Sequence, residues 1–248
     1  MRSREGGVGF LCVMLPLATI AGSLRVGPTR IDLSPRHPVA VVEVQNTGDS
    51  ETLVQIDTLT WTQRAGEESL EPTTELLATP MILSLTPGET RPVRVGLREP
   101  IVATVERSYR LIVGEVAPTA VGQNGLRFAV RISIPVFAQA PEPGHARAQA
   151  PEALSWIARP GLPGCNHILL TNTSSRHEHL LRAQLLAQNG AVLWQSAGPD
   201  YILAESQHSL NPQVCAPPLP GAGSLLLSMD GRTITLPPAA AGLLVDAK

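Results

Sequence analysis

Between Leu126 and Phe137 the chain reads Leu-Arg-Phe-Ala-Val-Arg-Ile-Ser-Ile-Pro-Val-Phe, with an apolar side chain at every second position. Successive side chains of a strand point to opposite faces, so Leu126, Phe128, Val130, Ile132, Ile134 and Val136 share one face. Ordinary strands run about 5–6 residues, so one of roughly twice that length overruns the sheet it belongs to. Its surplus end exposes apolar side chains and unpaired backbone groups, a combination that invites strand addition. Two readings follow. The segment is a long edge strand whose apolar face is core, the commoner outcome for an isolated stretch, or it is a strand lent to a partner.

The remainder of the 248 residues is material for short strands, with 21 glycines and 23 prolines and no sustained helical periodicity. This predicts an all-β protein, long enough for two domains that each bury a core. A net charge of −2 and the absence of Lys/Arg runs exclude the electrostatic footprint of a nucleic-acid or anionic-membrane binder. At the N-terminus, Arg2 and Arg4 precede an apolar run from Val8 to Ile20 that closes in Ala21, Gly22 and Ser23. Residues 1–21 therefore read as a secretory signal peptide, with an uncleaved anchor as the alternative. Cleavage removes Cys12 and leaves Cys165 and Cys215. In an oxidising compartment two such thiols most simply form one disulfide, contributing about 3–4 kcal/mol in the chain-entropy model.

Taken in order, the residues after the signal peptide predict strands over 24–33, 39–45, 53–62, 77–85, 92–97, 107–116 and 126–137. Thr79-Pro80 breaks the fourth, and the polar run from Gln63 to Glu75 reads as a loop. Trp61 is the expected core anchor of this part. Seven strands over residues 22–138 is the pattern of an immunoglobulin-like sandwich. Residues 139–152 lack large apolar side chains and read as a linker. Residues 153–248 hold a second set, over 154–157, 167–171, 180–187, 192–195, 201–204, 225–229 and 233–236, with turns at Asn189-Gly190 and Asp230-Gly231 and an Ala/Pro-rich tail.

Enzymatic chemistry has no motif here: nucleophile elbow, phosphate loop, dinucleotide fingerprint and His-Glu-x-x-His are all missing from the sequence. A hydrolase on a sandwich scaffold would need a nucleophile and a base, and neither is identifiable. His177-Glu178-His179 places two histidines on one strand face, a pattern able to chelate a metal, but in a polar connection and without zinc-type ligand spacing. The expectation is a protein without metal or cofactor.

The order and spacing of several short stretches resemble the periplasmic chaperones of the chaperone–usher pilus pathway. They are Gly27-Pro28-Thr29-Arg30, the Asn46-Thr47-Gly48 turn, Ala78-Thr79-Pro80, Leu85-Thr86-Pro87-Gly88, Arg91-Pro92-Val93-Arg94-Val95, Glu106-Arg107-Ser108-Tyr109-Arg110-Leu111 and Arg131-Ile132-Ser133-Ile134-Pro135-Val136-Phe137. The Tyr-Arg-Leu and Ile-Pro-Val-Phe pieces look most like the archaic branch that serves spore-coat-U-type pili. The resemblance implies two immunoglobulin-like β-sandwich domains arranged as a boomerang, acting in the periplasm. It implies pilus subunits as clients, completed by a strand from the chaperone, and an outer-membrane usher as the recipient. A secreted immunoglobulin-like pilus subunit or adhesin is the alternative, and self-association of the free chain stays open.

By this resemblance Leu126, Phe128 and Val130 fill the groove of the subunit's missing strand, while Ile132 and Ile134 stay in the chaperone's own core. The family also binds the subunit's C-terminal carboxylate with an arginine on the first strand and a lysine on the long strand. Arg30 matches the arginine. Ser133 stands where the lysine is expected, and Arg131, with the same side-chain direction, is the candidate replacement.

Overall fold

The computed structural model describes residues 24–102, 104–116, 129–139, 153–160, 166–215 and 222–237. The expected signal peptide, Leu126, Phe128, nearly all of the linker, the tail beyond Pro237 and the side chains of the expected Cys165–Cys215 disulfide lie outside the described residues.

The first half carries β1 (Leu24–Gly27), β2 (Ile31–Leu33), β3 (Val39–Asn46), β4 (Thr52–Arg64), β5 (Glu67–Pro72), β6 (Leu76–Thr79), β7 (Ile82–Leu85), β8 (Thr90–Leu97), β9 (Arg107–Glu115) and β10 (Arg131–Ala138). They form a four-stranded sheet, β1-β3-β8-β6, and a six-stranded sheet, β2-β10-β9-β4-β5 with β7 on β4. Alternation puts Val42, Val44, Val93 and Val95 of one sheet against Val54, Ile56, Leu111, Val113, Ile134 and Val136 of the other, all buried. Each such side chain stabilises by roughly 1.5–3 kcal/mol.

The sequence predicts one strand over 24–33, but the structure splits it. At Gly27-Pro28 the chain crosses from one sheet to the other, so β1 pairs with β3 and β2 pairs parallel to β10. Proline lacks the N–H that a continuous ladder needs, and the crossing falls there. Thr79-Pro80 separates β6 and β7 in the same manner, sending them to different sheets. Both X-Pro bonds are cis. Asn46 holds the adjoining turn from inside the fold: its side-chain amide donates to the carbonyls of Ser50 (2.7 Å) and Leu85 (2.9 Å), and its Oδ1 accepts from Gly48 N.

The expected loop from Gln63 to Glu75 is instead a hairpin of β4 and β5, turning at Ala65-Gly66, both with positive φ. β5 is an edge strand exposed on every residue, so it carries no apolar alternation to betray it.

The second half carries β11 (Leu154–Pro160), β12 (Asn166–Asn172), β13 (Glu178–Ala187), β14 (Val192–Ser196), β15 (Asp200–Ile202), β16 (Ser206–Leu210), β17 (Pro212–Cys215), β18 (Ala222–Met229) and β19 (Arg232–Leu236). A three-stranded sheet, β11-β12-β16, packs on a six-stranded one, β17-β14-β13-β18-β19 with β15 on β13. Trp156, Leu170, Ile202, Leu225 and Leu227 are buried between them. β16 and β17 were not foreseen; Ser206 and His208, the inward positions of β16, are buried polar residues.

The two halves meet where the β4–β5 hairpin reaches β16. Ser209 N donates to Gly66 O (3.0 Å), and Gln63, almost wholly buried, donates to Tyr201 O and accepts from Leu203 N and Ser206 Oγ. Gly66 has φ of +96°, and a Cβ there would stand 3.0 Å from Leu169 Cδ1 and 3.2 Å from Ser209 Cβ. Gly66→Val is expected to cost on the order of 1–3 kcal/mol, read as a lowered urea midpoint. An unchanged midpoint would show that the hairpin tip does not couple the halves.

Candidate functional site

Every second residue of β10 leaves the first core: Arg131, Ser133, Pro135 and Phe137 share the opposite face of the strand, which meets the second half at Phe137. Phe137 is fully buried there and clusters with Trp61 and Leu203. Trp61 is thus an anchor of the junction rather than of the first core. Tyr201 packs edge-on to Trp61 (ring centroids 5.8 Å) and His177 stacks on Phe137 at 3.5 Å. The stack is pinned by Glu106, whose Oε1 lies 2.6 Å from His177 Nδ1 and accepts from His177 N.

Strand register fixes where the cations stand. β2 pairs with β10 from Ile31 opposite Val136, so Arg30, one residue earlier, enters beside Pro135. On the other side of β10, Pro135 faces Arg110 of β9. Two arginines therefore flank one residue of the cleft strand. Arg30 is about two-fifths exposed, and its Nε lies 3.0 Å from Asp32 Oδ2. Gln139 Nε2 donates to the other Asp32 oxygen at 3.1 Å. The Arg110 guanidinium lies 3.6 Å over the Trp61 ring, a cation–π contact, with Glu68 at 3.8 Å. Burial pulls Arg110 below its ordinary pKa, against the raising effect of Glu68. Both guanidinium groups act on Tyr201: burial raises the pKa of its phenol, and Arg30 and Arg110 oppose that rise.

The residues expected from sequence are not all brought together. Arg30 lies in the cleft. Ser133 shares its face but is two residues from Pro135, roughly 7 Å along a strand. Arg131 is four residues away, roughly 13 Å; it is exposed and pairs with Asp57 at 3.6 Å. Val130 is half-buried, and its N–H donates to Glu115 Oε2. Ile134 is buried in the first core and Ile132 packs against it. Arg110 was not assigned a role from sequence. Its position opposite the core residues Tyr109 and Leu111 marks it as outward-facing, but its contact with Trp61 spans distant parts of the chain. His177 and His179, weighed above as a metal pair, turn to different carboxylates, Glu106 and Asp230. No group of three or more His, Cys, Asp or Glu side chains able to hold a metal is found among the described residues.

The cleft can hold an anion. Two guanidinium groups flanking one residue suit a carboxylate, which guanidinium binds through parallel hydrogen bonds. The chain has two tyrosines, so Tyr109→Phe leaves Tyr201 as the one phenol to titrate. Because nearby cations favour phenolate, Arg30→Met and Arg110→Met in that background are each expected to move the ultraviolet phenolate midpoint further upward. A midpoint unmoved by both would show that the cations do not converge on Tyr201.

Residues 23–142 match the family described as pili and flagellar-assembly chaperone, PapD N-terminal domain. No curated protein matches the chain at a significant level. Solved structures do. The chaperone CsuC, in a pre-assembly complex with the tip adhesion subunit CsuE from archaic Csu pili of Acinetobacter baumannii, matches with a TM-score of 0.65 at 20% identity. That match covers 87% of this chain and 98% of the other. The YadV chaperone matches with a TM-score of 0.61 at 17% identity, over 87% of this chain and all of the other (100%). A complex of the SafA pilin with the SafB chaperone from Salmonella enterica gives 0.61 at 16%, over 89% and 98%. The two-sandwich fold is therefore shared along nearly the whole chain. Its first half thus carries the sequence pattern of the PapD N-terminal domain, and the fold of pilus-assembly chaperones extends over the rest.

Proposed function

We propose that the protein is a non-enzymatic, ATP-independent periplasmic chaperone that captures exported pilus subunits by lending them a strand and passes them to an outer-membrane usher. The observation that carries this is the open edge of β10. β9 pairs along the whole strand, whereas β2 covers the opposite edge only from Val136 to Ala138. From Arg131 to Pro135 that edge has no strand neighbour among the described residues. A subunit strand added there continues the line of β2 upstream and ends at Arg30.

Its direction follows from charge. A strand running parallel to β10 brings its C-terminal carboxylate to Arg30 and Arg110, while an antiparallel one would bring an ammonium group to the same two cations. The attraction therefore selects the parallel arrangement and sets the register. Backbone pairing supplies affinity, and alternate side chains supply fit. In the alternation of the sequence Leu126, Phe128 and Val130 are in phase with Ile134 and Val136, and they are the side chains assigned to the subunit groove. At roughly 1.5–3 kcal/mol each, they supply a large share of the gross binding energy. Transfer to an usher and the archaic type of pilus rest on the family resemblance. A pilus subunit, the alternative reading, would leave a sandwich short of a strand, and the first sandwich here closes with sheets of four and six strands.

The test is co-expression of the mature protein with the small exported β-rich proteins encoded beside it. A one-to-one complex is expected with wild type, lost or weakened at least tenfold in Arg30→Ala and in Phe128→Asp while both variants keep the wild-type circular dichroism. Equal capture by all three proteins would overturn the reading.

A further inference from the structure

Arg30 is not empty-handed in the free chain. Asp32 occupies its inner edge through Nε, and the Tyr201 phenol also lies within hydrogen-bonding reach of the guanidinium. Nη1 faces Asp230 Oδ2 at 3.9 Å, a distance that gives attraction without a hydrogen bond. Asp230 comes from the turn between β18 and β19, so the second sandwich projects a carboxylate at the nitrogens a subunit carboxylate would use. The same Oδ2 lies 2.9 Å from His179 Nδ1. The His179 ring is itself held by stacking on Tyr201, at 4.5 Å and 15° between planes. Asp230 is thus shared between a histidine that grips it and an arginine that attracts it.

We propose that Asp230 is an internal competitor for the subunit carboxylate, and that His179 restrains it. In the free chain Asp230 offsets part of the charge of Arg30. When a carboxylate arrives it takes the outer edge of Arg30, and Asp230 keeps its hydrogen bond to His179 instead of standing unpaired. The arrangement weakens the hold on stray carboxylates, which bring charge alone, relative to a subunit end that also brings a paired strand. This inference rests on the proposed capture of a C-terminal carboxylate at Arg30. It concerns the selectivity of that site.

The two side chains have opposite predicted effects. Asp230→Asn removes the competitor. His179→Phe keeps the ring stack on Tyr201 but frees Asp230 to close on Arg30. The probe is a labelled ten-residue peptide of alternating valine and threonine, made with a free C-terminal carboxylate and as the carboxamide, and the readout is the ratio of the two affinities by fluorescence anisotropy. Asp230→Asn is expected to raise the carboxylate preference roughly two- to fivefold, the range an exposed ion pair contributes. His179→Phe lowers it, and the double variant follows Asp230→Asn. A preference that Arg30→Ala abolishes but Asp230→Asn leaves at the wild-type value overturns the competitor while the anchor stands. A wild-type protein that binds neither peptide, or both equally, overturns the anchor and the competitor together. Circular dichroism confirms each fold, with Asp230→Ser replacing Asp230→Asn if the latter does not fold.

Discussion

The two-residue period of β10 is the constraint on which the rest depends. Its even-numbered residues Ile134, Val136 and Ala138 close the first core, and its odd-numbered residues Ser133, Pro135 and Phe137 take the opposite face, with Phe137 in the junction. A slip of one residue would exchange the two sets, exposing the aliphatic face and burying Arg131 and Ser133. The core therefore sets the register of the cleft. It fixes Pro135 between Arg110 and the entry of β2, and so brings Arg30 and Arg110 to the same level of the sheet.

The junction between the halves uses a different balance. Phe137, Trp61 and Leu203 bury apolar surface, while Gln63 and Glu106 satisfy backbone and ring donors of the second half from the first. Buried polar groups of this kind are costly unless matched, so they tolerate few relative placements of the two sandwiches. That rigidity matters for the cleft, because its polar groups come from both sides: Arg30 and Arg110 from the first half, Tyr201, His179 and Asp230 from the second.

Much of this was legible in the sequence where alternation is strong. The valine-rich β3, the core residues of β9 and β10, and the turns at Asn46-Thr47-Gly48 and Asp230-Gly231 stand out in the residue order. Arg30 was found through family resemblance, since an isolated arginine after a proline carries no pattern. β5 and β16 were missed for physical reasons. The first is solvated on both faces and needs no apolar residue, and the second buries Ser206, bonded to Gln63, and His208, whose Nε2 meets Asp200. The crossings at Pro28 and Pro80 were half legible: proline announced a break, but which sheet each side joins depends on distant partners. Arg110 illustrates the same limit, for its partner Trp61 is 49 positions away in the chain.

The central claim is that the open edge of β10 is lent to a subunit. Hydrogen exchange of the backbone amides from Leu126 to Pro135, compared between the free protein and its co-purified subunit complex, tests it most directly. Paired edges exchange slowly and open ones fast. The account predicts strong added protection over this stretch on subunit binding, with little change in β3 and β8 of the opposite sheet. Unchanged exchange from Leu126 to Pro135 in a stable complex would contradict it and move the subunit to another surface.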